Sequence, residues 1–415
     1  MGSKWMKYRL GDIATFSYGK MPKKELIGLG KYVVFSGYKY TDNYPEKNLS
    51  VGDLIVVARG VGGTGDVKIA NQDCYLTNLP IKIDLDDKII RKEYFYYLFK
   101  QNTLRYLDSG SAQSQITIND LSNIEVVVPL PEAQDSVIEK LRNLDKKIII
   151  NTSINQTLEQ MSQTLFKSWF VDFDPVIDNA LDAGNPIPET LQSRAELRQK
   201  VCNSADFKPL PADIRVLFPA EFEETELGWV PKGWVTNRLE IILELAYGKA
   251  LKKTERTNGD YPVYGSGGVD GTHNEYLVKG PGVIVGRKGT VGSLHWENKD
   301  FYPIDTVFFV KPKEYYSLAY CYQLLKTLGL ENMNTDAAVP GLNRNNAYRL
   351  EVVTPTQSII AKFTNIIQTI QHKMDSNHNE TENLTALRDT LLPKLISGEL
   401  PLEDLPNLVA QTEPA

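Results

Sequence analysis

The chain of 415 residues is 42% hydrophobic and 24% charged, the composition of a soluble globular protein. This length exceeds what one hydrophobic core serves, so we expect two or more domains. No apolar run approaches the ~18 residues that a membrane helix requires, and residues 1–7 do not form a signal peptide. The three cysteines, Cys74, Cys202 and Cys321, are scattered and odd in number, which favours a reducing, cytoplasmic location and argues against a metal framework.

The charges are unevenly distributed along the chain. A net charge of −6 argues against indiscriminate binding of nucleic acid, yet residues 1–40 hold eight lysines and arginines against two acids. Acidic residues gather instead at 172–182 and 221–226. Ordinary solvated faces explain most charge runs of this kind, so the segregation alone does not decide the function.

Residues 1–131 have the mixed pattern of an α+β module, which we call module 1. Short β-branched runs at 54–57 and 124–128 predict strands, and an amphipathic stretch at 92–104 predicts a helix. Glycine-rich turns separate these elements.

The glycine-rich stretch at residues 60–65 (GVGGTG) satisfies the pattern G-x-G-x-x-G directly after a predicted strand. A dinucleotide-binding fingerprint requires a helix to begin there. Residues 66–69 have the pattern of another strand, so we predict a tight β-hairpin whose tip carries Arg59 toward a phosphate. A nucleotide-dependent enzyme that uses the loop at Gly60 stays open as an alternative.

Residues 132–172 predict one long amphipathic helix, which at about 40 residues would span ~60 Å. The following residues, 173–230, form a linker rich in proline and aspartate, with one helix predicted at 190–202. The linker separates two halves of similar sequence.

The second half of the chain repeats the first. WMKYRLGDIATFSYGK from Trp5 matches WVTNRLEIILELAYGK from Trp234 at an offset of 229, residues 53–59 match 282–287 at 228, and the long helices match at 226. Module 2 covers residues 231–356, with strands predicted at 283–285, 306–310 and 350–353 and a helix at 317–328. A second long helix at 357–400 and an acidic tail at 401–415, expected to be disordered, complete the chain. The predicted fold class is α+β, with two similar α/β modules that alternate with two long helices.

Both long helices carry an apolar seam that is interrupted by an asparagine at the same place, Asn151 and Asn377. In an antiparallel pair both asparagines lie near the middle of their helices, and we hypothesise that they meet and fix the register of pairing. Amides that face solvent are the alternative. The residues predicted to pair are Leu141, Leu144, Ile148, Asn151, Leu158 and Leu165 in the first helix, and Ile367, Ile370, Met374, Asn377, Leu384 and Leu391 in the second.

No catalytic constellation is recognisable in the sequence. The four histidines, His273, His295, His372 and His378, lack metal-ligand spacing, and neither a Gly-x-Ser-x-Gly elbow nor a P-loop lysine occurs. A binding protein is therefore favoured over an enzyme. A scaffold whose coiled coil only organises partners is a further alternative.

Four stretches resemble the hallmark sequences of a known family: residues 165–175 (LFKSWFVDFDP), 226–234 (ELGWVPKGW), 286–292 (GRKGTVG) and 391–400 (LLPKLISGEL). On these motifs, and on the order module, helix, module, helix, the whole chain is similar to the specificity (S) subunits of type I restriction-modification systems. One departure is that Ser3-Lys4-Trp5 stands where module 2 has the fuller Pro-Lys-Gly-Trp entry.

The resemblance implies that each module is a target recognition domain that binds one half of a split, asymmetric site in double-stranded DNA. It implies that the two helices form an antiparallel coiled coil that holds the domains apart. Two methylation subunits would bind the helices, and restriction subunits would join that assembly. The resemblance also implies that the chain has no active site, so that S-adenosylmethionine, ATP and magnesium belong to the partner subunits.

Candidate DNA-binding residues lie in the predicted loops of both modules. Cations that contact phosphates release counterions, and side chains that read bases need bidentate or amide groups, which here occupy positions matched by the repeat. Solvation at the surface explains each residue equally well when it is taken singly. The phosphate candidates are Lys20, Lys23, Lys24, Arg59, Lys249, Lys252, Lys253, Arg287 and Lys288; the base-reading candidates are Gln113, Ser114, Gln115, Asn343, Arg344 and Asn345; Thr64 and Thr290 complete the predicted site.

Overall fold

The computed structural model describes residues 5–59, 63–108, 115–205, 207–334 and 341–400. The chain divides into two compact units: the first unit is Met1–Ile150 with Glu380–Ala415, and the second unit is Asn151–Asn379. Each unit thus combines one module with a segment of each long helix. Gln113, Ser114, residues 60–62 of the glycine stretch and the tail 401–415 lie outside the described residues.

Module 1 is built from short strands and short helices. The elements in chain order are β1 (Met6–Arg9), α1 (Leu10–Ile13), β2 (Ala14–Tyr18), β3 (Tyr32–Phe35), β4 (Tyr40–Tyr44), β5 (Leu54–Val57), β6 (Val67–Ile69), β7 (Cys74–Leu76), β8 (Pro80–Leu85), α2 (Lys92–Leu98), α3 (Ile118–Ser122) and β9 (Glu125–Val128). The strands form a four-stranded sheet in the order β2-β8-β5-β6, a three-stranded sheet in the order β4-β3-β7 and the pair β1-β9.

The hairpin predicted around the glycine stretch is confirmed. β5 and β6 pair antiparallel, so the element that follows the glycines is a strand, and a dinucleotide fingerprint lacks the helix that it requires. The helix predicted at 92–104 is shorter than expected and ends at Leu98. The chain leaves this helix because the amide of Leu104 donates to the carbonyl of Gly65 at 2.9 Å, which ties residue 104 to the hairpin instead.

The first long helix and the linker follow module 1. The helix spans nearly the predicted 132–172, and the linker contains the helix predicted at 190–202 as well as elements that the sequence did not predict. Bidentate ion pairs of Arg194 with Asp174 and of Arg198 with Asp178 hold the linker helices together. The elements are α4 (Pro131–Phe170), α5 (Asp174–Ala183), α6 (Gln192–Cys202), α7 (Ala212–Arg215), β10 (Phe222–Thr225) and β11 (Gly228–Pro231).

Module 2 repeats module 1 strand for strand. The elements, with the long helix that follows them, are β12 (Val235–Arg238), α8 (Leu239–Ile242), β13 (Leu243–Tyr247), β14 (Tyr261–Gly265), β15 (Gly268–His273), β16 (Gly282–Gly286), β17 (Leu294–Glu297), β18 (Tyr302–Pro303), β19 (Val307–Pro312), α9 (Leu318–Thr327), α10 (Arg344–Tyr348), β20 (Glu351–Thr354) and α11 (Gln357–Ser397). The sheets have the orders β13-β19-β16-β17, β15-β14-β18 and β12-β20, which are the orders of module 1 in equivalent elements. The predicted internal repeat is therefore confirmed at the level of topology.

The strand register corrects one detail of the predicted repeat. Ile81 of β8 pairs with the last residue of β2, and Phe308 of β19 pairs with the last residue of β13, so these two residues are equivalent. On the other side, Ile81 pairs with Val56 of β5, and Phe308 pairs with Val285 of β16. The offset in this strand is therefore 229 and not 228. A slip of one residue exchanges the faces of a strand, so the correction changes which loop residues are equivalent.

Each unit has its own hydrophobic core to which both long helices contribute. In the first unit, Val137 and Leu141 of α4 and Leu391 and Leu395 of α11 pack with buried residues of module 1. Gln134 is fully buried beside them: its side-chain oxygen accepts from the amide of Arg91, and its nitrogen donates to the carbonyls of Ile89 and Pro129, each at 2.8 Å. This glutamine fastens α4 to module 1.

The core of the second unit is dominated by aromatic side chains. Phe166, Trp169 and Phe170 of α4 surround Phe363 of α11, with ring centroids 5.0–6.0 Å apart, and Tyr320 of module 2 joins them. Within each unit the helix segments run antiparallel, as predicted: residues with higher numbers in α4 contact residues with lower numbers in α11. The supporting contacts are Asp145 with Arg388 and Lys147 with Glu380 in the first unit, and Asn155 with Met374 and Phe166 with Phe363 in the second.

The predicted seam residues of both helices are buried or half-buried. Asn151 and Asn377 are each 2% exposed, so the alternative of amides that face solvent is wrong. The partner of the Asn377 amide in the second unit is Oδ1 of Asn155, at 2.8 Å. Asn155 lies on the same heptad seam but was not among the predicted residues, and a contact between Asn151 and Asn377 stays a prediction.

None of the helices in the described residues is both long and apolar enough to cross a membrane. Within the same ranges, no group of three or more histidines, cysteines or acids is placed to hold a metal ion.

Candidate nucleic-acid interface

One end of the four-stranded sheet of module 2 collects the loops that carry the predicted cations. Since neighbouring strands in this sheet are antiparallel, β13 and β16 end where β17 and β19 begin. Backbone hydrogen bonds join the loops: the amide of Lys249 donates to Pro303 at 3.0 Å, that of Arg287 to Thr306 at 2.9 Å, and that of Leu342 to Arg287 at 2.8 Å. We call this edge the loop end of module 2.

Module 1 has an equivalent loop end. The amide of Lys20 donates to the carbonyl of Leu76 at 3.0 Å, and residues 59 and 115 form a β-bridge. Gly19 permits the close approach of the loops, because a Cβ atom at this position would lie 2.0 Å from the carbonyl oxygen of Thr77. Lys20 and Lys249 thus project from the same place in the two modules.

Two arginines share one aromatic ring at the loop end of module 2. The guanidinium carbons of Arg287 and Arg344 lie 4.9 Å and 4.7 Å from the ring centroid of Tyr247, which is 49% exposed. Arg287 also donates from Nη1 to the carbonyl of Asp305 at 2.8 Å. Cation–π contact of this kind orients a guanidinium without consuming its hydrogen-bond donors.

The Nε atoms of Arg59 and Arg344 are buried and have no hydrogen-bond partner among the described residues. Unpartnered buried donors cost free energy, and most native structures avoid them.

The remaining predicted cations differ in their surroundings. Lys20, Lys23, Lys24, Lys249 and Lys288 are exposed. Lys252 instead pairs with Glu255 at 3.6 Å and Lys253 with Asp270 at 2.8 Å, and the hydrogen bond from Lys253 holds the pKa of Asp270 below its ordinary value. These acids reduce the positive potential around Lys252 and Lys253.

The predicted equivalence of the base-reading candidates is wrong. Gln115 forms a β-bridge with residue 59, and Gly341 forms the equivalent bridge with residue 288, so Gln115 corresponds to Gly341. Two residues further along each chain segment, Thr117 therefore corresponds to Asn343. Both residues cap short helices: the Asn343 side-chain oxygen accepts from the amides of residues 345 and 346, and the Thr117 hydroxyl accepts from that of residue 120. The prediction matched Gln113 with Asn343, which is four positions away from the observed register, because the preceding loops of the two modules differ in length.

The corrected register also changes the pairing of the cations. Arg59 corresponds to Lys288, whereas Arg287 corresponds to Ala58. The threonines of the predicted site differ too, since Thr64 is buried and Thr290 is exposed. The two loop ends therefore share a backbone plan and carry different side chains.

Sequence reasoning missed an aromatic cleft in module 1. The cleft has a volume of about 590 Å³ and is lined by Phe35, Tyr38, Tyr40, Tyr96 and Phe99 among others. The hydroxyl of Tyr38 donates to the carbonyl of residue 59 at 3.2 Å, so the cleft adjoins the hairpin. Aromatic residues at 35, 38 and 40 were the available signal, but the cleft requires residues 96 and 99 from a distant helix.

The repeated fold defines a protein of two similar modules, each with its own loop end. The chain belongs to the family of the type I restriction modification DNA specificity domain, whose model matches residues 2–160 and 231–385. It is 26% identical to the type I restriction enzyme HindI specificity subunit of Haemophilus influenzae, covering 96% of this chain and 100% of that protein. It is also 26% identical to the MjaIX specificity subunit of Methanocaldococcus jannaschii, covering 75% and 70%.

A solved structure shares the fold. The crystal structure of the type I restriction-modification system S subunit from M. genitalium has a TM-score of 0.61 and 20% sequence identity, and the match covers 95% of this chain and 96% of that one. The family assignment and the α+β fold class predicted from the sequence are confirmed by these matches. As a member of the family, the chain is a DNA specificity subunit, a non-catalytic part of a restriction-modification complex.

Proposed function

We propose that this chain selects the DNA target of a type I restriction-modification complex, with each module binding one half of a bipartite, asymmetric site. The observation that carries the proposal is the pair of loop ends, which repeat one backbone plan with different side chains, such as Ala58 against Arg287. Two identical readers would favour a palindrome, whereas two different readers on one scaffold favour unlike half-sites.

The exposed lysines of the loop ends would contact phosphates. Lys20 and Lys249 follow equivalent strands, and Lys288 follows β16 at the same edge of the sheet as Lys249. Neutralising phosphates releases counterions, so affinity for any duplex would fall with salt. A chain of net charge −6 would then bind DNA through these local clusters.

The long helices would set the distance between the half-sites and dock the methylation subunits. On the α4 segment of the second unit, Ile154 and Met161 are 38% and 54% exposed and lie seven residues apart, on one face. Exposed apolar side chains at this spacing suit a partner helix. We propose two methylation subunits, with restriction subunits that join through the complex.

The cofactors of the reaction would belong to the partners. S-adenosylmethionine, ATP and magnesium would be bound by partner subunits and not by this chain. The proposed location is the cytoplasm, in keeping with three free cysteines, Cys74, Cys202 and Cys321.

Selection of bound duplexes from a random library tests the proposal. The full chain is assembled with its methylation subunits, and the retained DNA is sequenced. The expected result is two unlike half-sites separated by a fixed gap of unread bases. A single continuous motif, a palindrome, or an absence of sequence preference would each contradict the proposal, and the last would favour a scaffold.

A further inference from the structure

We propose that Arg344 reads a guanine in the half-site bound by module 2 and that Tyr247 is its positioning residue. This inference rests on the proposed function and adds the chemistry of one base contact.

The backbone that carries Arg344 is fixed to the sheet. Arg344 is the first residue of α10, and the side chain of Asn343 caps this short helix. The hydroxyl of Tyr348, in the same helix, accepts a hydrogen bond from the amide of Leu245 in β13 at 2.9 Å. The amide of Leu342 donates to the carbonyl of Arg287 at 2.8 Å. Bonds on both sides of Arg344 therefore hold its Cα atom at the loop end.

The Arg344 guanidinium group packs against two tyrosine rings, and these contacts leave its N–H donors available for hydrogen bonds. Its carbon lies 4.7 Å from the ring centroid of Tyr247 and 5.7 Å from that of Tyr348, and its Nε atom is buried without a partner in the described part of the chain. A planar group with parallel N–H donors matches a base that offers two adjacent acceptors. In the major groove guanine offers them as O6 and N7.

Arg287 is less suited to this role although it shares the ring of Tyr247. Its Nη1 atom donates to the carbonyl of Asp305 at 2.8 Å, which occupies part of its fork. Its backbone also belongs to the strand edge, where the amide donates to Thr306 at 2.9 Å. Arg287 is therefore placed to support the cluster and to meet a phosphate. Arg344 has no hydrogen-bond partner for its guanidinium group among the described residues, so its paired N–H donors are available to a base.

Module 1 lacks this cluster. Tyr18 is the counterpart of Tyr247 and is 41% exposed, but the positions that match Arg287 and Arg344 are Ala58 and Ile118. An apolar isoleucine cannot supply the two donors that a guanine edge accepts. The guanine contact is thus a property of one half-site, which a symmetric reader would not produce.

The test uses the chain assembled with methylation subunits and the duplex motif obtained from the random library. Each guanine of the motif is replaced in turn by 7-deazaguanine, which removes the N7 acceptor and keeps base pairing. In the unaltered complex, one guanine is expected to lose about 10- to 100-fold in affinity on this replacement. With Arg344→Gln, the same replacement is expected to cost less than twofold, while preference in the other half-site is unchanged.

Two further variants separate positioning from direct contact. Tyr247→Phe keeps the ring and is expected to keep the discrimination at that guanine. Tyr247→Leu removes the ring and is expected to reduce discrimination several-fold at that position alone. Lys288→Ala is the control for a phosphate contact: it should weaken all duplexes alike and lower the slope of log affinity against log salt by about one.

Several outcomes would overturn the inference. A motif without a guanine sensitive to Arg344→Gln, or an Arg344→Gln variant that weakens all duplexes equally with a smaller salt slope, would make Arg344 a phosphate contact and leave the proposed function intact. Loss of preference in both half-sites would indicate misfolding and count against a specific role, which Arg344→Lys checks because it retains the charge and stem. A complex without any bipartite preference would instead contradict the proposed function itself.

Discussion

The side-chain amide of Asn377 donates a hydrogen bond to Oδ1 of Asn155 at 2.8 Å, and the amide of Asn155 donates to the carbonyl of Met374 at 2.9 Å. These three residues lie in the helix pair of the second unit, where Asn377 is 2% exposed. A shift of one helix by a turn would break both hydrogen bonds. The pair therefore fixes the register of the two helices, as buried asparagines do in coiled coils.

Replacing Asn155 by leucine is expected to destabilise the chain by about 1–3 kcal/mol, because the buried Asn377 amide loses its hydrogen bond to Oδ1 of Asn155. The double variant Asn155→Leu with Asn377→Leu is expected to recover part of this loss, since the buried amide that lost this bond is then absent. Denaturant unfolding of the four forms in a double-mutant cycle measures the coupling. Asn365→Leu, at an exposed asparagine of α11, is the matched control and should change stability by no more than about 0.5 kcal/mol. Simple additivity of the two substitutions would show that the contact contributes nothing.

Asp145 is expected to make the first unit sensitive to acid. It accepts from Arg388, Lys100 and the Tyr97 hydroxyl, each at 2.9 Å. Burial alone would raise the pKa of Asp145, but the hydrogen bonds from Arg388 and Lys100 hold this pKa below its ordinary value. The stabilisation is therefore present above the unfolded pKa of about 4 and is lost as the pH falls through the lower, folded-state pKa.

Substitution of the same residue tests this dependence. Asp145→Asn is expected to cost about 3 kcal/mol near neutral pH, because partly buried Lys100 loses its carboxylate partner and Arg388 keeps only Asp389. The difference from the unaltered chain should shrink as the pH is lowered below about 4. Denaturant unfolding across that pH range is the measurement, and Glu139→Gln, at an exposed acid of α4, is the control. A difference that stays constant with pH would contradict the assignment.

Gln134 is expected to be a strong polar attachment of α4 to module 1. Gln134→Leu removes the acceptor for the amide of Arg91 and the donor for two carbonyls, so a loss of about 2–3 kcal/mol is expected in denaturant unfolding. Gln156→Leu makes the same change at an exposed position of the same helix and should be nearly neutral. Equal effects of the two substitutions would mean that the buried bonds are not needed.

The exposed apolar face of α4 is expected to bind a methylation subunit. Ile154→Glu and Met161→Glu should weaken this binding by about tenfold or more, because each places a charge in an apolar interface. Binding of the purified partner is the measurement, and Gln156→Glu, on another side of the same helix, is the control. Unfolding of the isolated chain should be unaffected. Unchanged binding by both substitutions would move the docking surface elsewhere.

Lengthening the helices is expected to lengthen the unread gap of the target. A seven-residue insertion keeps the heptad, so one is added to α4 after Gln156 and one to α11 after Lys373. Seven residues add about 10.5 Å along a helix, which corresponds to at most about three base pairs. Sequencing of methylated sites gives the gap. A four-residue insertion breaks the heptad and serves as control, and an unchanged gap after the seven-residue insertions would contradict the spacer role.

Much of the fold was accessible from the sequence because it is encoded locally or by repetition. The long helices follow from apolar residues at heptad spacing, and their bounds lie within three residues of those observed. The hairpin at residues 54–69 follows from two β-branched runs around glycines. The internal repeat fixed the architecture, since two copies of one pattern imply two copies of one topology.

The tertiary structure alone decided which side chains meet. The partner of Asn377, the clustering of Arg287 and Arg344 on Tyr247, and the attachment of Gln134 all join residues that are far apart in the sequence. The equivalence of Arg59 with Lys288 depends on strand register, which hydrogen bonds between neighbouring strands determine. Periodicity specifies the face on which a residue lies, whereas partners and register depend on the packing of distant segments, and the candidate DNA contacts are of this second kind.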